Sequence, residues 1–219
     1  MIEKLISSVV QIMTHPNHQL RMASGRLEAL GDGIFSVAMT ILVIELALPA
    51  IQGDSFAAFI HAFKATWTNF LCYVISFVVL GIMWFGHRML FEYIARTNRY
   101  FIFLGVLFYL VVCLVPFSTR FLAHSTFKWY ALTVYGLNLS LCNLTLYAQW
   151  LYGIRRKTLT ERELPDEVRK EARTLFILSP VVYSIAIAFS FFLPWVSLSI
   201  YIITPILYLI PNKLDRYMP

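Results

Sequence analysis

Four ionisable side chains stand in or beside the first long apolar stretch of the sequence, residues 27–50. They are Arg26, Glu28, Asp32 and Glu45. A charged group near the centre of a bilayer costs about 2.5–3.5 kcal/mol on insertion scales, so such groups usually face protein or water. Arg26 and Glu28 lie close enough to the end of the stretch to reach the membrane surface, whereas Asp32 is deeper. We therefore expect Asp32 to have a buried structural or gating partner.

A second polar cluster ends the next apolar stretch, where Trp84 and His87 lie at a depth close to that of Asp32. Because an aspartate can orient or charge an imidazole, we expect Asp32 and His87 to contact each other, directly or through Arg26 or Trp84. Depth alone is equally compatible with a histidine that only packs between helices. Either interpretation needs close helix approach, which three nearby glycines permit: Gly33, Gly81 and Gly86.

The same first stretch carries an apolar stripe edged with hydroxyl groups. At 3.6 residues per turn, Val37, Ile41 and Ile44 fall within about 60° of one another on a helix. Thr40 borders this stripe, and Ser36 lies further round the same flank. Such a stripe more often packs against a neighbouring helix than it faces water, so the residues alone favour a packing face over a pore face.

The elements that hold these residues are predicted to be membrane helices. The chain has 219 residues, of which 59% are hydrophobic and 14% charged, whereas average soluble domains have about 25% charged residues. A bilayer core requires about 20 mostly apolar residues per helix. Six stretches fit: 27–50, 66–90, 100–121, 129–153, 173–193 and 196–212. We therefore predict an all-α integral membrane protein with a cytosolic segment (1–25), a six-helix domain (26–212) and a cytosolic tail (213–219).

The distribution of Lys and Arg predicts the orientation. Fifteen of the 18 basic residues fall in segments that lie inside if the N-terminus is cytosolic, as the positive-inside rule requires. Met1–Gly25 lacks the pattern of a cleaved secretory signal. We expect a multi-pass protein of the cell membrane with both ends in the cytosol.

Other classes of function fit the sequence less well. The net charge of +6 is explained by membrane orientation, so no nucleic-acid partner is expected. Cys72, Cys113 and Cys142 lie in apolar stretches without metal-ligand spacing, and we expect them to pack as core residues with no metal. We find neither an enzyme motif nor an internal repeat, which argues against a membrane enzyme and a secondary transporter.

Three runs of the sequence resemble the transmembrane protein 175 family of potassium channels. They are RLEALGDGIFSVAMTILVIEL, SFVVLGIMWFGHRMLF and LVPFSTRFL, and together they span residues 26–122. The family signature is an Arg followed by Phe-Ser-Asp in the first helix. This chain keeps Arg26 and Asp32 but has Leu30 and Gly31 in place of the Phe and Ser.

The resemblance implies a homotetramer in the lipid bilayer whose first helices line a central potassium pathway, with no TVGYG filter and no cofactor besides the permeant ion. Counting from Asp32, the narrow hydrophobic ring corresponds to Val37, with Ile41 and Ile44 further outward. The hydroxyls linked to selectivity correspond to Ser36 and Thr40. A secondary transporter or a proton-conducting membrane protein remains the alternative.

Overall fold

The computed structural model describes residues 22–44, 46, 53, 55–156, 158–160 and 166–208. This part of the chain forms seven helices and two short strands. The helices are α1 (Gly25–Ile44), α2 (Phe56–Tyr93), α3 (Arg99–Cys113), α4 (Val115–His124), α5 (Trp129–Arg155), α6 (Asp166–Ser190) and α7 (Pro194–Tyr208). The strands are β1 (Met22–Ala23) and β2 (Arg96–Thr97).

Three helical segments of the described chain are long and apolar enough to cross a bilayer: Gly25–Ile44, Thr66–Tyr93 and Arg99–His124. Two further apolar segments are shorter, Phe176–Ser190 in α6 and Pro194–Ile206 in α7. The first three predicted spans therefore correspond to helices of membrane-spanning length. The total of six spans stays a prediction.

The helix limits differ from the predicted spans, most notably in the first and third spans. The first span was expected to reach residue 50, but α1 ends at Ile44, and Glu45 lies outside the described residues. The third predicted span, 100–121, is divided at Leu114 into α3 and α4. Pro116 lies in the first turn of α4. Because proline has no backbone N–H, it cannot continue the hydrogen bonding of α3, and it suits the start of a new helix.

The helices pack around α5, which contacts α3, α4, α6 and α7, while α1 packs against α2, α3 and α4. A buried polar chain joins α2, α4 and α5. The Thr119 hydroxyl donates to Ser76 Oγ at 2.8 Å, and Ser76 Oγ lies 3.0 Å from the Tyr135 hydroxyl. These three buried hydroxyls thus pair with one another, as an apolar interior favours.

The prediction for the cysteines is confirmed for Cys72 and Cys142, which are buried. It is wrong for Cys113, which is exposed in the single chain. Cys113 is the last residue of α3. An apolar stretch identifies membrane helices but not which of their faces turn inward, because lipid accepts an apolar side chain on the outer face as well.

A small antiparallel pairing fixes the start of α1. Ala23 of β1 pairs with Arg96 of β2, which follows the end of α2. The carbonyl oxygen of Leu159 accepts hydrogen bonds from the backbone N–H groups of Ala95 and Arg96, at 3.0 and 3.2 Å. The segments before α1, after α2 and after α5 therefore meet at one end of the bundle.

Candidate pore-lining face of the first helix

One side of α1 is buried in the subunit. Its buried residues recur at intervals of three or four, which is one face of a helix: Leu27, Gly31, Phe35, Ala38 and Leu42. Phe35 and Leu42 are each 1% exposed. This packing fixes the rotation of α1 about its axis, and with it the direction in which the opposite side chains point.

The predicted stripe lies on the exposed side of α1. Val37 is 57% exposed, Ile41 37% and Ile44 77% in the single chain. Leu30, 50% exposed, lies seven residues before Val37 and extends the stripe. Val43, 49% exposed, lies about 120° from Val37, so the exposed surface is broader than the stripe. Side chains with this much apolar surface face lipid, another subunit or a pore. That they line a pore stays a prediction.

The two hydroxyl residues beside the stripe are also exposed. The Thr40 hydroxyl donates to the carbonyl oxygen of Val37 at 2.8 Å. This bond uses the only hydroxyl proton of Thr40. The lone pairs of the Thr40 oxygen therefore point away from the Val37 carbonyl. An oxygen held in this way can accept a hydrogen bond or coordinate a cation. Ser36 lies one turn earlier on the same side, and its selectivity role also stays a prediction.

Asp32 is joined to α2 by a tryptophan. The Trp84 indole Nε1 donates to Asp32 Oδ1 at 2.8 Å, so the carboxylate has a partner on the neighbouring helix although it is exposed in the single chain. Arg26 lies exposed in the first turn of α1. The structural network of Arg26, Asp32, Trp84 and His87 stays a prediction.

His87 lies in an aromatic cage between α1, α2 and α3. It is 0% exposed, and its ring centroid is 4.7 Å from that of Phe91, 5.8 Å from that of Phe108 and 5.9 Å from that of Phe35. His87 Nε2 is 2.8 Å from the Tyr109 hydroxyl. Its other ring nitrogen, Nδ1, is buried with no hydrogen-bond partner in the structure.

The hydrogen bonds of Tyr109 determine the tautomer of His87. The Tyr109 hydroxyl donates its proton to the carbonyl oxygen of Leu27 in α1, at 2.7 Å. The hydroxyl must then accept from His87, so Nε2 carries the proton and Nδ1 holds the lone pair of a neutral ring. One tyrosine hydroxyl thereby connects α1 to a histidine of α2.

Gly31 is the residue of α1 that approaches this cage. A Cβ atom at Gly31 would lie 2.5 Å from His87 Cε1 and 2.7 Å from the Tyr109 hydroxyl oxygen. By contrast, Gly33 has nothing within 4 Å of such an atom. The close approach therefore occurs at Gly31 and not at Gly33 as expected, because Gly31 lies on the buried side of α1 and Gly33 on the exposed side.

Sequence reasoning missed Tyr109 and assigned no packing role to Gly31. The departure of Gly31 from the family's serine was the available signal for the close contact. Tyr109 lies in an apolar stretch far along the chain, and only the packing of α3 on α1 brings the two together. In the described part of the chain, no group of three or more His, Cys, Asp or Glu side chains is placed to hold a metal.

Comparison with known proteins gives consistent matches. The family profile described as the endosomal/lysosomal potassium channel TMEM175 matches residues 26–116. A potassium channel of Streptomyces collinus is 33% identical over 172 residues, which are 77% of this chain and 82% of that protein. The endosomal/lysosomal proton channel TMEM175 of Gallus gallus is 29% identical over 92 residues, 39% of this chain but 18% of that protein.

A solved structure matches the fold. The crystal structure of a lysosomal potassium-selective channel TMEM175 homolog from Chamaesiphon minutus superposes with a TM-score of 0.74 and 26% sequence identity. The match covers 84% of this chain and 95% of that one. The similarity therefore extends over most of the chain and not only over the first helix.

Proposed function

Because the chain belongs to the TMEM175 family, we propose that it is a potassium-selective or potassium-preferring cation channel with its gate on α1. The observation that carries the proposal is the two-sided packing of α1. One side is buried in the subunit through Phe35 and Leu42, while Val37, Ile41 and Ile44 are exposed on the other. Four such faces around an axis enclose a pathway.

The gate consists of apolar rings. Four copies of Val37 form the narrowest ring, and Ile41 and Ile44 form rings one and two turns further outward. A narrow apolar ring stops ions by excluding water, because an ion cannot leave its hydration shell without replacement oxygens. The channel conducts when the ring widens enough to hold water.

Discrimination between cations rests on the hydroxyl groups beside the rings. The Thr40 oxygens, held by the bond to the Val37 carbonyl oxygen, replace part of the hydration shell of a potassium ion. Ser36 supplies a second set of hydroxyls one turn closer to the cytosol. This arrangement uses no TVGYG loop, and that string does not occur in the sequence.

The membrane arrangement follows from the same proposal. The subunit crosses the cell membrane six times, with α3 and α4 forming one crossing, and both termini are cytosolic because the basic residues concentrate on that side. The assembly is a homotetramer in the lipid bilayer, with no nucleic acid, no enzymatic activity and no cofactor besides the permeant ion.

Proton conduction is the second candidate, because vertebrate relatives such as that of Gallus gallus are described as proton channels. Protons need a continuous chain of polar groups or water, whereas the gate proposed here is apolar. A secondary transporter is not favoured, since the sequence shows no internal repeat, although the third span is divided at Leu114.

Current through a planar bilayer containing the purified protein tests the function. With potassium on one side and sodium on the other at equal pH, we expect the reversal potential to lie toward the potassium equilibrium value. A reversal potential that follows an imposed pH difference instead identifies proton conduction. The absence of current from protein of native helical content contradicts both.

A further inference from the structure

Four exposed arginines and two tyrosines lie together at the end of the bundle where α1 and α3 begin and α5 ends. We refer to these side chains as the arginine–tyrosine surface: Arg96, Arg99, Tyr100, Tyr152, Arg155 and Arg156. Arg96 belongs to β2, Arg99 begins α3 and Arg155 ends α5. The positive-inside rule places this end of the bundle at the cytosolic leaflet.

Two sets of hydrogen bonds hold the surface together. The Asn98 amide Nδ2 donates to the Tyr152 hydroxyl at 3.0 Å, and Asn98 Oδ1 accepts from the backbone N–H of Phe101 at 2.9 Å. A single side chain thus caps α3 and attaches it to the end of α5. The bonds from Ala95 and Arg96 to the Leu159 carbonyl oxygen attach the segment after α5 to β2.

The two tyrosines lie side by side, and one of the arginines packs over a tyrosine ring. The Tyr100 and Tyr152 rings have centroids 6.5 Å apart, and Arg156 Cζ lies 5.6 Å from the Tyr152 ring centroid. Tyrosine is enriched at membrane–water interfaces, where its ring sits among the headgroups. Arginine matches the geometry of a phosphate through two parallel N–H donors, which a lysine does not provide.

An apolar stripe continues from this surface into the membrane-length segment Arg99–His124. Below Tyr100, which is 71% exposed, Phe103 is 65% exposed, Val106 49% and Leu110 60%. These residues recur every three or four positions, so they lie on one side of α3. A phospholipid has a charged headgroup and apolar acyl chains. The arginine–tyrosine surface is complementary to the headgroup, and the apolar stripe is complementary to the chains.

We propose that the arginine–tyrosine surface binds the phosphate group of an anionic phospholipid, whose acyl chains lie along the exposed stripe of α3. The four guanidinium groups supply the complementary charge. Glu28, a carboxylate near the start of α1, interacts electrostatically with Arg88, which is not part of this surface. The proposal depends on the chain being in a membrane and does not depend on which ion it conducts.

Binding of a fluorescent phosphatidylglycerol to the purified full-length protein in detergent tests this proposal, with phosphatidylcholine as the uncharged comparison. We expect phosphatidylglycerol to bind more tightly. The double variant R155Q/R156Q should raise its apparent Kd about tenfold or more, and R96Q/R99Q should do the same. The two double variants are tested separately, so the proposal stays testable if one of them does not fold.

The matched control is the double variant K64Q/K128Q, which also removes two exposed positive charges but at the opposite end of the bundle. Its Kd should equal that of the unmodified protein. Equal binding of both lipids, or equal losses in all three doubles, overturns the proposal. Displacement of the lipid by inorganic phosphate at equal concentration also overturns it, because the site would then bind a free anion without using the apolar stripe.

Discussion

Gly31 is the residue at which α1 comes closest to the buried His87. Its missing side chain lets the His87 ring and the Tyr109 hydroxyl lie against the α1 backbone, where the hydroxyl bonds the carbonyl oxygen of Leu27. Since His87 is buried, the loss of its bond to the Tyr109 hydroxyl leaves Nε2 as a donor without a partner in an apolar environment. The geometry around Gly31 thus positions α1 relative to α2 and α3.

Replacing Gly31 by Ala should destabilise the protein. The new Cβ would lie 2.5 Å from His87 Cε1, so the ring or the helix must move, and we expect a loss of about 1–3 kcal/mol in the free energy of unfolding. Thermal unfolding in detergent measures this. Gly33→Ala is the matched control, because nothing lies within 4 Å of its Cβ and alanine favours the helix by about 1 kcal/mol. Equal effects of the two changes would refute the close contact.

Replacing Tyr109 by Phe should remove the link between α1 and His87. His87 Nε2 would be left as a buried donor without its 2.8 Å partner, and we expect a loss of about 1–3 kcal/mol. Tyr130→Phe, at a 39% exposed ring, is the control and should change the unfolding free energy little. If Tyr109→Phe is as stable as the unmodified protein, the Tyr109 hydroxyl does not stabilise the packing of α1 against His87.

At the level of the element, α1 is a helix with one buried and one exposed side. The sequence predicted the grouping of the stripe, but it identified no buried side and by itself favoured a packing face for the stripe. The 3.6-residue period alone groups Val37, Ile41 and Ile44, and they are exposed together because the opposite side carries Phe35 and Leu42. The contact of Gly31 with His87 and Tyr109 was not predictable in the same way. It depends on how α2 and α3 pack on α1, which no local pattern encodes.

The limits of the elements were predicted unevenly for a related reason. Hydropathy identifies the third span, since Arg99–His124 is long and apolar enough overall to cross a bilayer, but it does not show the division at Leu114. The division comes from the backbone chemistry of Pro116. A proline inside a helix is often accommodated without a break, as Pro180 is in α6.

Replacing Thr40 by Val should weaken discrimination between potassium and sodium. The change keeps the shape of the side chain but removes the oxygen that is bonded to the Val37 carbonyl and that we propose coordinates the ion. We expect the potassium-to-sodium permeability ratio, measured from the reversal potential, to fall several-fold. Thr40→Ser keeps the hydroxyl and should retain most of the ratio. An unchanged ratio in Thr40→Val would assign selectivity to other residues.

For the whole molecule, one subunit supplies one candidate pore helix, so a closed pathway requires a ring of subunits. A four-fold ring brings the exposed sides of four α1 helices toward one axis. The apolar side chains exposed in the single chain then face the pathway, a neighbouring subunit or lipid. The homotetramer that we propose would account for the combination of a buried side and an exposed apolar side in α1.

The assembly should have four times the mass of the 25.3 kDa chain. Native mass spectrometry or light scattering of the purified protein, corrected for bound detergent, measures this. Chemical cross-linking in membranes before extraction is the control for dissociation by detergent. A monomer in both measurements would leave α1 without partners and would contradict a central pore.

The most direct test of the central claim, that α1 lines the pathway with Val37 at its gate, is the single-channel conductance of two asparagine variants. Val37→Asn places an amide in the narrow ring, so water enters and conductance should rise. Val43→Asn makes the same change on the same helix at a residue 49% exposed but about 120° away from Val37, and it should leave conductance unchanged. If Val37→Asn leaves the current unchanged while Val43→Asn alters it, the pathway lies along another side of α1. If neither changes ion flux, α1 does not line the pore.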